Sequence, residues 1–298
     1  EKENLPGKHT SGRNSGVVHS GLYYKPDSIK AKVCANGSKR LRKWVSDRNL
    51  YLNKCGKLIL PTNEYLNKRI DDLYNRGKKN GCNVEIWDLA KLTNKFPYVN
   101  LTCGRALWSP DTSIIYPKEI LLTLFNELKE KNVNFLFNSE IISVNQTMNY
   151  VEINNNKKIY FDYLFNCAGL NADKVAKLFD LCSNYKLMPF KGQYLTLKTN
   201  FKYKVSSNIY PVPDLNIPFL GVHFTPGFNG TYIGPTATLA LGRENYNGID
   251  SFEPYELVGN ISILLKQYLS GKNGFRRYFH EQAFQTFRPF FIKAAKEL

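Results

Sequence analysis

The spacing of apolar residues changes along the chain, and the change predicts two kinds of structure. Up to about residue 186, amphipathic segments alternate with short apolar runs, which predicts helices between strands. The predicted helices are 28–47, 63–80, 88–95, 117–131 and 171–181, and the predicted strands are 57–60, 84–87, 133–137, 141–144 and 161–166. From 187 to 233, extended runs broken by proline and glycine predict a mostly antiparallel sheet. Helices are predicted again at 253–270 and 276–298.

This order predicts an α/β fold, α+β overall, built from two interleaved domains. Residues 1–50 and 117–185 are expected to form a Rossmann-like nucleotide-binding domain around a parallel sheet. Residues 51–116 and 186–298 are expected to form a second domain, with a mainly antiparallel sheet and covering helices. Helix 28–47 is expected to bury the apolar face formed by Ile29, Val33, Leu41 and Trp44.

Composition narrows the class of protein. The 298 residues are 43% hydrophobic and carry a net charge of +16, which is typical of a globular protein that attracts anions. The lysines are scattered along the chain, so no specific nucleic-acid partner is predicted. The six cysteines show no C-x-x-C spacing, which favours a reducing compartment and predicts neither disulfides nor a metal site. No apolar run approaches the roughly 20 residues of a membrane-spanning helix.

Residues 12–31 contain the segment most suggestive of a ligand site. Small residues surround His19, and Asp27 or Ser28 is placed to cap the helix that follows. Backbone without bulky side chains can approach a flat or phosphorylated ligand closely. An ordinary glycine–serine loop with a surface histidine is the alternative interpretation.

Several motifs resemble one family, in the same order along the chain. They are 12–31, Tyr116-Pro117-Lys118-Glu119, 165–170, 189–194, 208–214 running on through 218–226, Gly234-Pro235 and Gly242-Arg243-Glu244. Together they resemble L-2-hydroxyglutarate dehydrogenases, in the FAD-dependent oxidoreductase group that includes D-amino-acid and glycine oxidases. The similarity is dense up to about residue 246. The resemblance implies that the first domain binds FAD and the second binds the substrate.

The resemblance also implies a set of cofactor-binding residues. These are Glu1, Arg13, Asn14, Ser15, Gly16, His19, Ser20, Gly21, Ile141, Ala168 and Gly169. Glu1 stands where the family's acidic residue hydrogen-bonds the adenosine ribose. The strand and G-x-G-x-x-G turn that hold the pyrophosphate are not in this sequence, so the chain is expected to be a fragment. His19 is expected to contact the flavin non-covalently, with a covalent link as the alternative.

The implied reaction is oxidation of L-2-hydroxyglutarate to 2-oxoglutarate, which requires a base for the hydroxyl proton. His223 is the candidate for base or substrate ligand, and a packed core histidine is its alternative role. His19 is the second catalytic candidate. His9 and His280 are expected to be exposed or structural.

Candidate ligands for the two substrate carboxylates are Tyr210, Arg243, Lys191 and Tyr194. The implied electron acceptor is a quinone or oxygen, and the implied location is mitochondrial, or otherwise cytoplasmic. Peripheral membrane association is a further expectation from the basic surface. A relative acting on another 2-hydroxy acid, an amino acid or glycerol phosphate, and a non-catalytic basic binding module, are the alternatives.

Overall fold

The computed structural model describes residues 1–198, 204–213 and 221–298, so residues 214–220 of the longest motif lie outside the described part. The chain divides into two compact units. The first unit contains residues 1–14, 117–190 and 239–264, and the second contains residues 15–116, 191–238 and 265–298. Residues 15–50 therefore lie in the second unit, although they were assigned to the nucleotide-binding domain. Which unit binds the nucleotide stays a prediction.

Most of the predicted helices form close to their expected positions. They are α1 (Ile29–Asp47), α2 (Glu64–Asn67), α3 (Arg69–Lys79), α4 (Leu89–Lys95), α5 (Pro117–Glu130), α6 (Ala172–Leu178), α7 (Pro254–Ser270), α8 (Phe275–Gln285) and α9 (Arg288–Lys296). The Ser28 hydroxyl accepts a hydrogen bond from the Ala31 N–H at 3.2 Å, which confirms the predicted cap of α1. The predicted helices 63–80 and 276–298 each form as two helices. No helix in the described residues combines the length and the hydropathy needed to cross a bilayer.

Strands in the described residues form mainly antiparallel ladders. They are β1 (Val17–Val18), β2 (Leu52–Asn53), β3 (Lys57–Leu60), β4 (Glu85–Asp88), β5 (Arg105–Ser109), β6 (Ser113–Ile115), β7 (Ile141–Asn145), β8 (Tyr150–Ile153), β9 (Lys158–Tyr160), β10 (Phe190–Lys191), β11 (Leu195–Thr196), β12 (Asn208–Pro211), β13 (His223–Gly227), β14 (Gly230–Gly234) and β15 (Thr238–Leu239). This mixture of helix and antiparallel sheet confirms the predicted fold class.

A seven-stranded sheet forms the centre of the second unit, in the order β11-β14-β13-β12-β3-β5-β4. Its neighbours pair antiparallel except β12 and β3, which run parallel. Both faces of the central strands are buried, because side chains alternate between them. Leu58 and Ile209 contribute to the apolar core on one face, and Ile59 and Tyr210 contribute to the core on the other.

Helix α1 buries a different face from the one predicted. Ile29 is 80% exposed and Val33 is 64% exposed, whereas Ala31, Ala35 and Ser38 are among the residues it buries. The prediction was wrong for Ile29 and Val33, because the contact there requires small residues, whereas Leu41 and Trp44 are partly buried. A Cβ placed on Gly21 would lie 3.2 Å from the backbone nitrogen of Ala35, so backbone packs directly on backbone here.

The first unit has the three-stranded antiparallel sheet β7-β8-β9. The segments 133–137 and 161–166 are not strands, contrary to prediction. Tyr163 and Phe165 are each 87% exposed rather than buried. A strand needs a hydrogen-bonded neighbour, and the described residues form no ladder with either segment.

Candidate active site

Three polar side chains share one buried face of the central sheet. In the parallel pair β12–β3, Asn208 lies opposite Lys57 and Tyr210 lies opposite Ile59, so Lys57 and Tyr210 point to the same face. In the antiparallel pair β12–β13, Ile209 lies opposite Phe224, which brings His223 beside Tyr210. All three side chains are at most 3% exposed. Strand register therefore assembles a polar cluster in an otherwise apolar layer.

His223 is held in a defined orientation and tautomer. Its ring stacks on Tyr210 with 3.7 Å between centroids and 16° between planes. Its Nδ1 lies 2.8 Å from the Gly221 carbonyl oxygen, which can only accept, so Nδ1 carries the proton and Nε2 is left as an acceptor. Burial lowers the pKa of His223 to about 4, so the ring is neutral at pH 7. A neutral imidazole with an open acceptor is suited to taking a proton.

His19 and Lys57 extend this cluster. The Nζ of Lys57 lies 3.4 Å from Nδ1 of His19, and the His19 ring meets Tyr210 edge-on at 6.1 Å. Nζ also lies 4.2 Å from the centre of the Tyr23 ring. Burial, followed by the positive charge of Lys57, holds the pKa of His19 well below its usual value. The two predicted catalytic histidines thus contact the same tyrosine.

Lys57 and Tyr23 are members of the cluster that the sequence analysis missed. The available signal was a lysine at the start of the apolar run Lys57–Leu60, because charged residues are rarely fully buried. Burial lowers the pKa of Lys57 to about 7. The Tyr23 hydroxyl is buried without a hydrogen-bond partner in the described residues, and burial raises its pKa.

The small-residue loop before α1 is built partly for packing. Gly16 has φ +71°, a conformation that favours glycine, and its carbonyl accepts from the Ile115 N–H at 2.9 Å. The Ser20 hydroxyl is buried and bonds the Ser109 hydroxyl at 3.0 Å. Gly21 packs against α1. Ser15 is partly buried at the start of this unit. Contact of these residues with FAD stays a prediction.

Tyr194 and Lys191 lie in the same unit as the cluster. Tyr194 is 41% exposed, and burial of the rest of its side chain raises its pKa. Lys191 is partly buried in β10. Their role as ligands of the substrate carboxylates stays a prediction.

Arg243 lies in the first unit and is 4% exposed. Its guanidinium donates to both carboxylate oxygens of Asp173, to Glu256 at 3.0 and 3.1 Å, and to the Leu170 carbonyl at 2.5 Å. Although burial opposes ionisation of Asp173, Arg243 and the Leu187 N–H lower its pKa to about 2. To hold a substrate carboxylate, as predicted, Arg243 would have to exchange one of these bonds.

The remaining predicted cofactor residues lie in the first unit. Ala168 and Gly169 are exposed at the start of the short 3-10 helix Gly169–Asn171, and Ile141 begins β7. Arg13 stacks over the Tyr246 ring at 4.1 Å. The Asn14 amide donates to the Ser11 carbonyl at 2.8 Å, and the Glu1 carboxylate accepts from the Glu3 N–H at 3.0 Å. These side chains are arranged by local contacts, and their role toward FAD stays a prediction.

Two other histidines have partners away from the cluster. His280 lies 3.0 Å from the Tyr268 hydroxyl. His9 lies 2.8 Å from the Tyr246 hydroxyl and 3.1 Å from Glu3. In the described residues, His9, Glu3 and Glu244 form a group close enough to hold a metal ion, but Lys2 bridges the two carboxylates and neutralises part of their charge.

The cluster in the second unit is a candidate binding site for an anionic ligand. It combines a neutral histidine acceptor, a buried cation and a tyrosine hydroxyl without a hydrogen-bond partner in the described residues, in a layer that is otherwise apolar. Such convergent polar groups with shifted pKa values are typical of active sites.

Comparison with known proteins defines the family. Residues 1–280 match the family of FAD-dependent oxidoreductases, and the chain belongs to that family. Two solved structures share the fold. An L-alpha-glycerophosphate oxidase of Mycoplasma pneumoniae with FAD bound aligns with a TM-score of 0.69 and 23% identity, over 88% of this chain and 70% of that one. An L-proline dehydrogenase of P. horikoshii aligns with a TM-score of 0.67 and 16% identity, over 92% and 70%.

Two similar curated proteins have the same name. The mitochondrial L-2-hydroxyglutarate dehydrogenase of Caenorhabditis elegans is 38% identical over 282 residues, which are 92% of this chain and 64% of that protein. The protein of the same name from Homo sapiens is 36% identical over 265 residues, which are 84% and 57%. The chain thus spans about three fifths of the length of these relatives. The predicted resemblance and the FAD-dependent family are confirmed.

Proposed function

We propose that the protein containing this chain oxidises L-2-hydroxyglutarate to 2-oxoglutarate with FAD as its cofactor. The observation that carries this proposal is the His223 imidazole, which is neutral, stacks on Tyr210 and holds its proton on Nδ1, so that Nε2 is an acceptor. Names of the relatives supply the substrate. When bound, FAD supplies the acceptor for the hydride that leaves the hydroxyl-bearing carbon.

His223 removes the hydroxyl proton through Nε2. Its pKa of about 4 in the free protein makes it a weak base at first. An anionic substrate beside the ring raises that pKa, because negative charge stabilises the imidazolium form. Proton removal is therefore coupled to binding of an acid substrate rather than of a neutral alcohol.

The other residues of the cluster orient the reacting group. Tyr210 fixes the plane of the His223 ring by stacking, and the His19 ring packs edge-on with the Tyr210 ring. The residues proposed to bind FAD are Glu1, Arg13, Asn14, Ser15, Gly16, His19, Ser20, Gly21, Ile141, Ala168 and Gly169. Tyr194, Lys191 and Arg243 remain proposed ligands of the substrate carboxylates.

The electron acceptor, the location in the cell and the association with membranes are proposals as well. Electrons pass on to a quinone or oxygen, and the protein acts in mitochondria, in keeping with the names of its relatives. The +16 charge suits weak association with an anionic membrane surface, without sequence-specific nucleic-acid binding.

Flavin spectroscopy of the full-length protein tests this function. We expect flavin absorbance bands in the purified protein, and bleaching of those bands by anaerobic L-2-hydroxyglutarate. His223→Ala should keep the bands but slow the bleaching by about 10²–10⁴-fold, the usual contribution of a positioned base. His280→Ala is the matched control, because His280 is exposed and bonded to Tyr268 outside the cluster.

The outcomes separate the parts of the proposal. Absence of flavin after reconstitution with FAD would contradict the cofactor. Bleaching by glycerol phosphate or an amino acid, but not by L-2-hydroxyglutarate, would mean that the other compound is the substrate. Bleaching of His223→Ala at the wild-type rate would remove His223 from the role of base.

A further inference from the structure

Lys57 is a fully buried cation with no carboxylate partner in the described residues. It is 0% exposed on β3, and the groups near its Nζ are the His19 ring nitrogen at 3.4 Å and the rings of Tyr23 and Tyr210 at 4.2 and 5.2 Å. None of these groups carries a negative charge at neutral pH. Ring faces and a neutral imidazole compensate a buried ammonium less well than a carboxylate does.

The nearby ionisable side chains leave the site without an anion. Burial raises the pKa values of Cys34 and Cys82, so both thiols stay protonated. Burial also raises the pKa values of Tyr23 and Tyr210. Within the described residues, the groups near the Lys57 Nζ are therefore neutral, and a bound ligand could supply the negative charge.

Two residues beside Nζ are partly exposed. His19 and Tyr23 are each only partly buried, whereas Lys57 is fully buried. Displacement of these side chains would open the ammonium to a small ligand. The Tyr210 ring lies beside both Nζ and the His223 ring, so a group bound at Lys57 would be next to the proposed base.

We propose that Lys57 binds a carboxylate of the substrate and thereby places the neighbouring hydroxyl at His223. This assignment rests on the proposed function, and it adds a substrate-binding residue that determines specificity for acids. A 2-hydroxy acid suits the arrangement because its carboxylate and its hydroxyl are on adjacent carbons. A neutral alcohol would leave Lys57 uncompensated and is therefore rejected.

Binding of glutarate to the full-length protein tests Lys57 without turnover. Glutarate has the carboxylates but no hydroxyl, and titration calorimetry measures its Kd directly. Lys57→Met, which keeps the length and removes the charge, should raise the Kd about 10–100-fold, the range expected for loss of a charged hydrogen bond. Lys54→Met is the matched control, because Lys54 is exposed three residues earlier in the chain. Its Kd should match that of the wild type.

The pH profile of the wild-type protein provides a second test that needs no variant. The Lys57 pKa is about 7, and a carboxylate binds only the protonated form. Glutarate affinity should therefore fall by up to tenfold per pH unit above about pH 7. The histidines His19 and His223 are neutral throughout this range, since burial lowers the pKa of each. Burial raises the pKa values of the nearby thiols and tyrosines, which favours their protonated forms. A purely structural role for Lys57 predicts no such slope.

Two results would overturn the assignment. One is a wild-type Kd for glutarate in folded Lys57→Met, and the other is an affinity that does not change between about pH 6 and pH 9. Failure of the proposed function is distinct, because it would be seen as no flavin bleaching by L-2-hydroxyglutarate in the wild type. The glutarate titration still decides the role of Lys57 in that case.

Discussion

Arg243 and Lys57 are both buried cations, but Arg243 is paired with carboxylates and Lys57 is surrounded by neutral rings in the described residues. Arg243 lies in the first unit against two carboxylates, those of Asp173 and Glu256. Lys57 lies in the second unit against rings and an imidazole. Pairing raises the pKa of Arg243, whereas burial lowers that of Lys57 to about 7.

The difference separates a buried cation that has acidic partners from one that has none among the described residues. A guanidinium held by two acids has its donors occupied and stabilises the fold only while the acids remain. A lysine without an anion destabilises the fold, because its charge has lost its hydration. Such a residue is explained by a ligand that restores the missing charge. Substitutions on each side test this distinction.

The largest effect is expected from breaking the Arg243 pair. Asp173→Asn removes the charge that compensates a buried guanidinium and should lower the free energy of unfolding by about 3–5 kcal/mol. Urea unfolding of the full-length protein measures it. Asp162→Asn is the control, since Asp162 is an exposed acid in the same unit.

At low pH, the difference in unfolding free energy between the wild type and Asp173→Asn should disappear. The Asp173 pKa is depressed to about 2 in the folded protein, below its ordinary value of 3.8. The carboxylate therefore contributes stability above about pH 4, and the contribution is lost as pH falls through about 2. Equal stability of Asp173→Asn and wild type at pH 7 would mean that Arg243 does not depend on the pair.

The second largest effect, from substitution of Lys57, is expected to be an increase in the free energy of unfolding. Lys57→Met replaces an uncompensated buried charge with an apolar side chain of similar length, and should raise the free energy of unfolding by about 1–4 kcal/mol at pH 7 without ligand. Loss of glutarate binding together with gain of stability is the signature of a residue kept for function.

The pH dependence of this gain follows from the shifted pKa of Lys57. Its folded value of about 7 lies below the ordinary 10.5, so between these values the unfolded chain binds more protons than the folded one. Wild-type stability should therefore rise with pH across that window, relative to Lys57→Met, and the advantage of the variant should shrink. A destabilised Lys57→Met would indicate that aromatic contacts already compensate the ammonium.

The fold and the candidate site could be predicted from the sequence to different extents. Spacing predicted α1 and β3 because each depends on local periodicity and caps. The buried face of α1 was not predictable from apolar size, since Gly21 and Ala35 meet backbone to backbone. The segment 161–166 has a strand-like sequence, but a strand also needs a neighbour, and the period of one segment does not encode that neighbour.

The candidate site was predicted in part for the same reason. His19, Tyr210 and His223 were found through motifs that resemble a family. Lys57 was missed because its importance lies in a register between β3 and β12, strands about 150 residues apart, and in the absence of a nearby acid. The ion pair of Arg243 could not be predicted from spacing, because its partner Asp173 lies 70 residues away in the sequence.

The smallest effect is expected for an exposed cation. Such a cation is the reference for the two buried ones, Arg243 with its acidic partners and Lys57 without an acid among the described residues. In α1, Lys43 forms an ion pair with Asp47 at 2.9 Å, with the two side chains 77% and 50% exposed. Water solvates both charges, and lysine preceding the acid is the weaker orientation on a helix. Lys43→Met should therefore change the free energy of unfolding by no more than about 0.5 kcal/mol, measured under the same urea conditions. If this variant lost as much stability as Asp173→Asn, burial would not be the property that separates these cations, and the uncompensated charge of Lys57 would no longer require a ligand.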